Sequence, residues 1–150
     1  MASILPPFPK FVFTVFEPIS LVAGFIAPFI SPEWFIAEQV ASSPLEAVSE
    51  NARLVAYQLG NIYLLLAMVG IGVLYSTSEA KVVRNYLIAL WIADIGHVAV
   101  TYNVLGWQRS IDITTWNSMT WGNIGATVRY GDSCILIWLH TLNYDSSFCF

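Results

Sequence analysis

Charge is what this chain has least of. Only 11% of its 150 residues are Asp, Glu, Lys or Arg, against about 25% in a soluble domain. So few charges cannot cover a water-facing surface, and lipid is the solvent this composition suits. The six Lys and Arg stand against ten Asp and Glu, for a formal net charge of −4. No basic block occurs, which excludes nucleic acid as a partner and polybasic targeting to lipid. The two cysteines, Cys134 and Cys149, make neither a disulfide framework nor a C-x-x-C metal pair. With only His97 and His140 beside them, no metal site is expected, and no cofactor motif is present. No N-x-S/T sequon occurs. Gly70-Ile71-Gly72 lacks the strand and the later glycine of a phosphate loop, so close helix packing is its better reading.

What is present is hydrocarbon, 57% of the chain. A transmembrane helix needs about 20 mostly apolar residues. Such segments run from about Phe11 to Ile30, Leu54 to Tyr75 and Val82 to Leu105. A fourth runs from about Thr115 to Leu139, interrupted by Arg129, Gly131 and Asp132. The first carries a glutamate and no clean cleavage site, so it reads as a retained span and not as a signal peptide. The expected fold is all-α, a single integral membrane domain over 1–150 built as a four-helix bundle. An acidic loop over 31–53 carries Glu33, Glu38, Glu46 and Glu50.

Helix starts are legible. Ser43-Pro44-Leu45-Glu46 and Ser76-Thr77-Ser78-Glu79 both have the capping-box pattern. The second leaves only a tight turn after Tyr75, which predicts an antiparallel hairpin of the second and third spans. Ser31-Pro32-Glu33-Trp34 reads as the opening of a short interfacial helix. Lys10, Lys81 and Arg84 against Arg53 and Arg109 favour a cytosolic N-terminus. The endoplasmic reticulum is the default membrane for such a chain.

Each span carries polar residues at helical spacing. These are Glu17, Ser20 and Gly24; Gln58 and Asn61; Asp94, His97 and Thr101; Thr120, Asn123 and Thr127. Residues three, four or seven apart share a helix face, so the simplest arrangement is four polar stripes facing one another. A charged Asp in mid-span costs about 2.5–3.5 kcal/mol on insertion scales. Gln58, Asn61, Asp94, His97 and Asn123 fall at similar depth, roughly 7–12 Å below one edge for the first two. Glu17 lies roughly 10 Å from the opposite edge, offset below that cluster. Pro18 follows it and kinks the helix there.

Singly, Gln58, Asn61, Thr101, Thr120 and Asn123 are best read as interhelical hydrogen-bond formers, about 0.6 kcal/mol per contact. Asp94, His97 and Glu17 are costly enough to be functional candidates. In an enzyme, Asp94 or Glu17 would act as acid and His97 as base or orienting partner, with Gln58, Asn61, Thr101 and Asn123 positioning the substrate. That chemistry is a cofactor-free isomerisation or cyclisation of a lipophilic small molecule. The same cavity would also serve a non-catalytic lipid-binding or accessory protein docking pathway enzymes. Polar glue alone is the third reading.

Glu17-Pro18, Gln58-Leu59-Gly60-Asn61, Asp94-Ile95-Gly96-His97 and Trp121-Gly122-Asn123 together resemble a family of small four-span fungal integral membrane proteins of unknown function. Some members are encoded beside secondary-metabolite genes. The resemblance covers about residues 8 to 128 and implies a terpenoid, sterol or polyketide-like substrate. In architecture and acid placement the chain is also similar to the emopamil-binding sterol isomerases and to membrane terpene cyclases. From Arg129 the sequence departs from the apolar fourth span that the resemblance implies. Either the reading frame is altered there, or the variant is genuine and Arg129 reaches Glu17.

Overall fold

A computed structural model describes residues 5–40 and 48–132, with side chains described as far as Val128. No strand occurs among the described residues. Three helices are long and apolar enough to cross a membrane. Helix α1 is Pro7–Ile30, α3 is Glu50–Ser76 and α4 is Ala80–Ile111. The short α2, Pro32–Ala37, lies between α1 and α3. A fifth helix, α5, opens as Ser118–Thr120 and continues with π-helical bonding over Trp121–Asp132. The chain is an all-α membrane bundle; its fourth expected span is described only as far as Asp132. The capping pattern Ser43–Glu46, the side chain of Arg129, and Cys134, His140 and Cys149 lie outside the described residues.

Small residues set the main packing. Helix α3 turns Ala56, Gly60, Ala67, Gly70 and Leu74 inward, and with the half-buried Tyr63 they alternate in spacings of four and three that keep one face on a neighbouring helix. Lipid tails are as apolar as leucine, so spans associate where backbones can approach closely. Here two glycines exchange partners. The ring of Tyr63 on α3 lies against Gly24 of α1, 2.9 Å from where a Cβ would stand. The ring of Pro28 on α1 lies against Gly60 of α3, also 2.9 Å from a notional Cβ. Phe29 stacks on Tyr57 beside them, with ring centroids 4.9 Å apart and nearly parallel.

At the opposite end of this pair the third span joins. Val12 and Phe13 of α1, Leu74 of α3, and Val83 and Leu87 of α4 form a buried cluster, with Tyr86, Leu90 and Trp91 against it. The turn between α3 and α4 is Thr77–Glu79, which makes the two helices a hairpin. It does not use the expected capping box. Ser76 remains in α3, and Glu79 precedes α4 with no side-chain cap bond. Instead the Thr77 hydroxyl accepts from the Glu79 N–H at 3.0 Å. Leu74, in the last turn of α3, packs with Val83 and Leu87 across this turn. Helix α3 begins at Glu50, where the Ser49 hydroxyl accepts from the Ala52 N–H at 3.2 Å.

Helix α1 widens into a π-turn over Val12–Phe16, with the Glu17 N–H bonded to the Val12 carbonyl. Pro18 has no N–H to offer the carbonyl of Thr14. The hydroxyl of Tyr75 donates to that oxygen from α3 at 3.2 Å. Helix α4 is broken at Gly106, whose φ of 74° is a left-handed conformation that favours glycine. Beyond it Asn117 ties two regions together. Its Oδ1 accepts from the backbone N–H of Thr120 at 2.8 Å, and its Nδ2 donates to the Glu38 carbonyl at 2.9 Å. The short helix expected after Ser31 forms as α2, with Trp34 exposed and Phe35 buried, and Arg53 pairs with Glu33 at 2.7 Å.

Candidate functional site

The first and third spans meet around two carboxyls. Glu17 leaves the π-turn on the inward face of α1 and is half-buried. Asp94 is half-buried on α4, on the face that carries Val83, Leu87 and Leu90 lower down and Thr101 and Leu105 above. The two carboxyls lie within electrostatic reach of each other. Glu17 is also within reach of the Tyr86 hydroxyl. That hydroxyl sits 2.8 Å from the notional Cβ of Gly70, so the bare backbone of α3 forms the floor on which it rests. Glu17, Asp94, Tyr86 and Gly70 thus bring three spans to one polar junction, with the buried apolar cluster below it.

Sequence spacing pointed to both acids but not to Tyr86. The signal was there: Tyr86, Leu90 and Asp94 stand at i, i+4 and i+8, one stripe of α4. Glu17 was expected to lie below the Asp94 level. In the structure its charge is felt by Tyr86, and it feels that of Asp94. The π-turn before it is a feature found often at functional sites.

The other candidates are placed elsewhere. His97 is exposed; at i+3 from Asp94 it is rotated about 60° from that face. Thr101 is half-buried above Asp94, and its hydroxyl donates to the His97 carbonyl at 2.9 Å. Asn123 is half-buried on the π-helical part of α5, which packs along α4. Gln58 and Asn61 are exposed. They stand on the side of α3 away from Ala56, Gly60 and Ala67. Thr120 is buried in the Asn117 cap. Among the described residues, no three His, Cys, Asp or Glu come together closely enough to hold a metal ion.

A second feature lies near the other end of the helix pair. Phe35, Ile36, Val55, Ala56 and Leu59 line a groove of about 360 Å³ between α2 and α3, almost wholly apolar. Gln39, Asn51 and Ala52 complete its lining.

The chain belongs to the family described as a domain of unknown function, DUF7704, whose model matches residues 2–137. The match runs through Arg129 and Asp132. No curated protein and no solved structure matches the chain.

Proposed function

We propose that this protein is a cofactor-independent acid–base isomerase or cyclase acting on a lipophilic substrate inside the bilayer. The observation that carries the reading is the convergence of Glu17 and Asp94, with the Tyr86 hydroxyl, where three spans meet. Two half-buried carboxyls that feel each other's charge suit acid–base work: one gives a proton to an alkene carbon or epoxide oxygen, the other removes one from a neighbouring carbon. The proton count is unchanged over the cycle, so no external co-reactant is required. Substrate would arrive laterally, since Ile92, Ile95 and His97 beside Asp94 are exposed where the lipid would lie. Thr101 and Asn123 are the positions from which its polar groups would be held. The substrate class is terpenoid, sterol or polyketide-like, in a fungal secondary-metabolite pathway. The setting is the endoplasmic reticulum membrane with a cytosolic N-terminus.

The test uses purified protein in lipid nanodiscs, incubated in heavy water with a lipid extract of its host. Protonation at carbon leaves one deuteron in the product, which mass spectrometry detects. Wild type should form a labelled lipophilic species, and Asp94→Asn and Glu17→Gln should each abolish it while the helical circular dichroism persists. An Asp94→Asn variant that labels the species as fast as wild type would sink the proposal.

The apolar groove between α2 and α3 favours a second reading, a non-catalytic carrier of a lipophilic molecule. Its volume falls in the range of small-molecule sites. That reading expects a copurifying lipophile retained equally by wild type and Asp94→Asn, with no deuterium incorporated by either.

A further inference from the structure

Helix α3 carries two seams, and one of them has no occupant among the described residues. The inner seam, Ala56, Gly60, Tyr63, Ala67, Gly70 and Leu74, faces α1 and the start of α4. The outer seam is Leu54, Gln58, Asn61, Leu65, Met68 and Gly72, and every one of these residues is exposed. Its spacing is four, three, four, three, four. That is the repeat by which one helix keeps a continuous face on another. A Cβ at Gly72 would meet nothing within 4 Å, so a second backbone can come close there.

Gln58 and Asn61 make this seam unlike an ordinary lipid-facing stripe. Counting about 1.5 Å per residue from Glu50, they lie roughly 7 and 12 Å inside the hydrocarbon if α3 is centred in the bilayer. Neither side chain has a hydrogen-bond partner among the described residues. A short Asn side chain at that depth cannot reach the interface, and a primary amide in hydrocarbon needs a partner. An amide is also self-complementary, with donors on nitrogen and an acceptor on oxygen. Across a two-fold axis the same patch meets itself, so each amide finds both functions on its own copy.

We propose that the protein pairs with a second copy of this chain along the outer seam of α3, with Gln58 and Asn61 hydrogen-bonding across the two-fold axis. The pairing is independent of the chemistry at Glu17 and Asp94, which lie on other helices. A parallel pair related by an axis along the membrane normal places Asn61 opposite Asn61 and brings Gln58 within reach of the same layer. Leu65 and Met68 supply the apolar knobs below it.

The experiment uses the full chain in lipid nanodiscs and micelles, with native mass spectrometry over a range of protein-to-lipid ratios. Wild type should be dimeric. The double variant Gln58→Leu/Asn61→Leu, which keeps size and lipid solubility, should dissociate at least about tenfold more readily. A second measurement works in a background with Cys134 and Cys149 replaced by serine. There Leu65→Cys should cross-link into a dimer on oxidation, while Ile71→Cys, exposed on the same helix but off the seam, should not. A wild type monomeric at every ratio would overturn the proposal. So would a double variant that dimerises like wild type, equal cross-linking by Ile71→Cys, or cross-linking of Leu65→Cys to a different membrane protein only.

Discussion

Adding one methyl group at Gly60 tests the packing of α1 on α3. In Gly60→Ala the new Cβ would stand 2.9 Å from Pro28 Cγ, 3.1 Å from the Phe25 carbonyl oxygen and 3.4 Å from Phe29 Cε2. Carbon atoms in good contact are about 3.5–4.0 Å apart, so the nearest contact is short by about 0.6 Å or more. Pro28 is buried and its ring cannot rotate away, so α1 must move. That movement is transmitted to Tyr63 on Gly24, which is equally tight, and to the stacked pair Phe29 and Tyr57. Overpacking of this kind costs about 1–3 kcal/mol. Alanine also gains up to about 1 kcal/mol over glycine in helix propensity, which masks part of the loss. Gly96→Ala supplies the reference, because a Cβ at Gly96 meets nothing within 4 Å. The difference between the two variants isolates the clash and should be about 1–3 kcal/mol. Reversible unfolding in mixed micelles, read by tryptophan fluorescence against denaturing detergent, measures it. Adding Pro28→Ala to Gly60→Ala should recover part of the loss but not all, since the Phe25 carbonyl remains. If Gly60→Ala and Gly96→Ala unfold together, the reciprocal glycine packing is not what holds these helices.

Substitutions at two further positions probe how the helices are tied. Tyr75→Phe removes the donor to the Thr14 carbonyl and should cost about 0.6–1.5 kcal/mol, with faster amide exchange confined to the π-turn and the residues around Pro18; unchanged exchange would mean that oxygen is satisfied another way. Asn117→Ala removes both the cap on Thr120 and the bond to the Glu38 carbonyl, a loss of about 0.5–2 kcal/mol from the cap alone. Asn117→Asp keeps the cap acceptor and loses only the donor, so limited proteolysis between α4 and α5 should rank it between wild type and Ala. A reversed order would place the tie elsewhere.

The spans and the hairpin were legible because length and hydropathy are enough to reveal a membrane helix, and because three residues between two such helices force them antiparallel. The acids at positions 17 and 94 were legible because an ionisable group in a span stands out against its surroundings. The orientation of Gln58 and Asn61 was not. Placing them in the interior assumed that polar residues turn away from the solvent when the solvent is oil. On α3 the face toward α1 is decided by Ala56, Gly60, Ala67 and Gly70, because in lipid close backbone approach, not the exclusion of hydrocarbon, selects the contact. Together with Tyr63 they alternate in spacings of four and three, a pattern visible in the sequence that carries the inner face; the polar pair carries the opposite one.

That inversion bears on how the two proposals share one small bundle. Helix α3 gives its small-residue face to α1 and, through Gly70, the floor beneath the Tyr86 hydroxyl. The acid–base groups of the proposed chemistry come from α1 and α4, with Glu17 following the π-turn and preceding Pro18. The proposed pairing gives the amides of α3, exposed among the described residues, a partner on the second copy. Two copies joined along the outer face of α3 would leave the exposed Ile92, Ile95 and His97 of α4 facing the lipid. A pairing through the outer face of α4 would instead cover that approach. The proposed entry of substrate from the bilayer beside α4 and the proposed pairing along α3 are therefore compatible in one molecule.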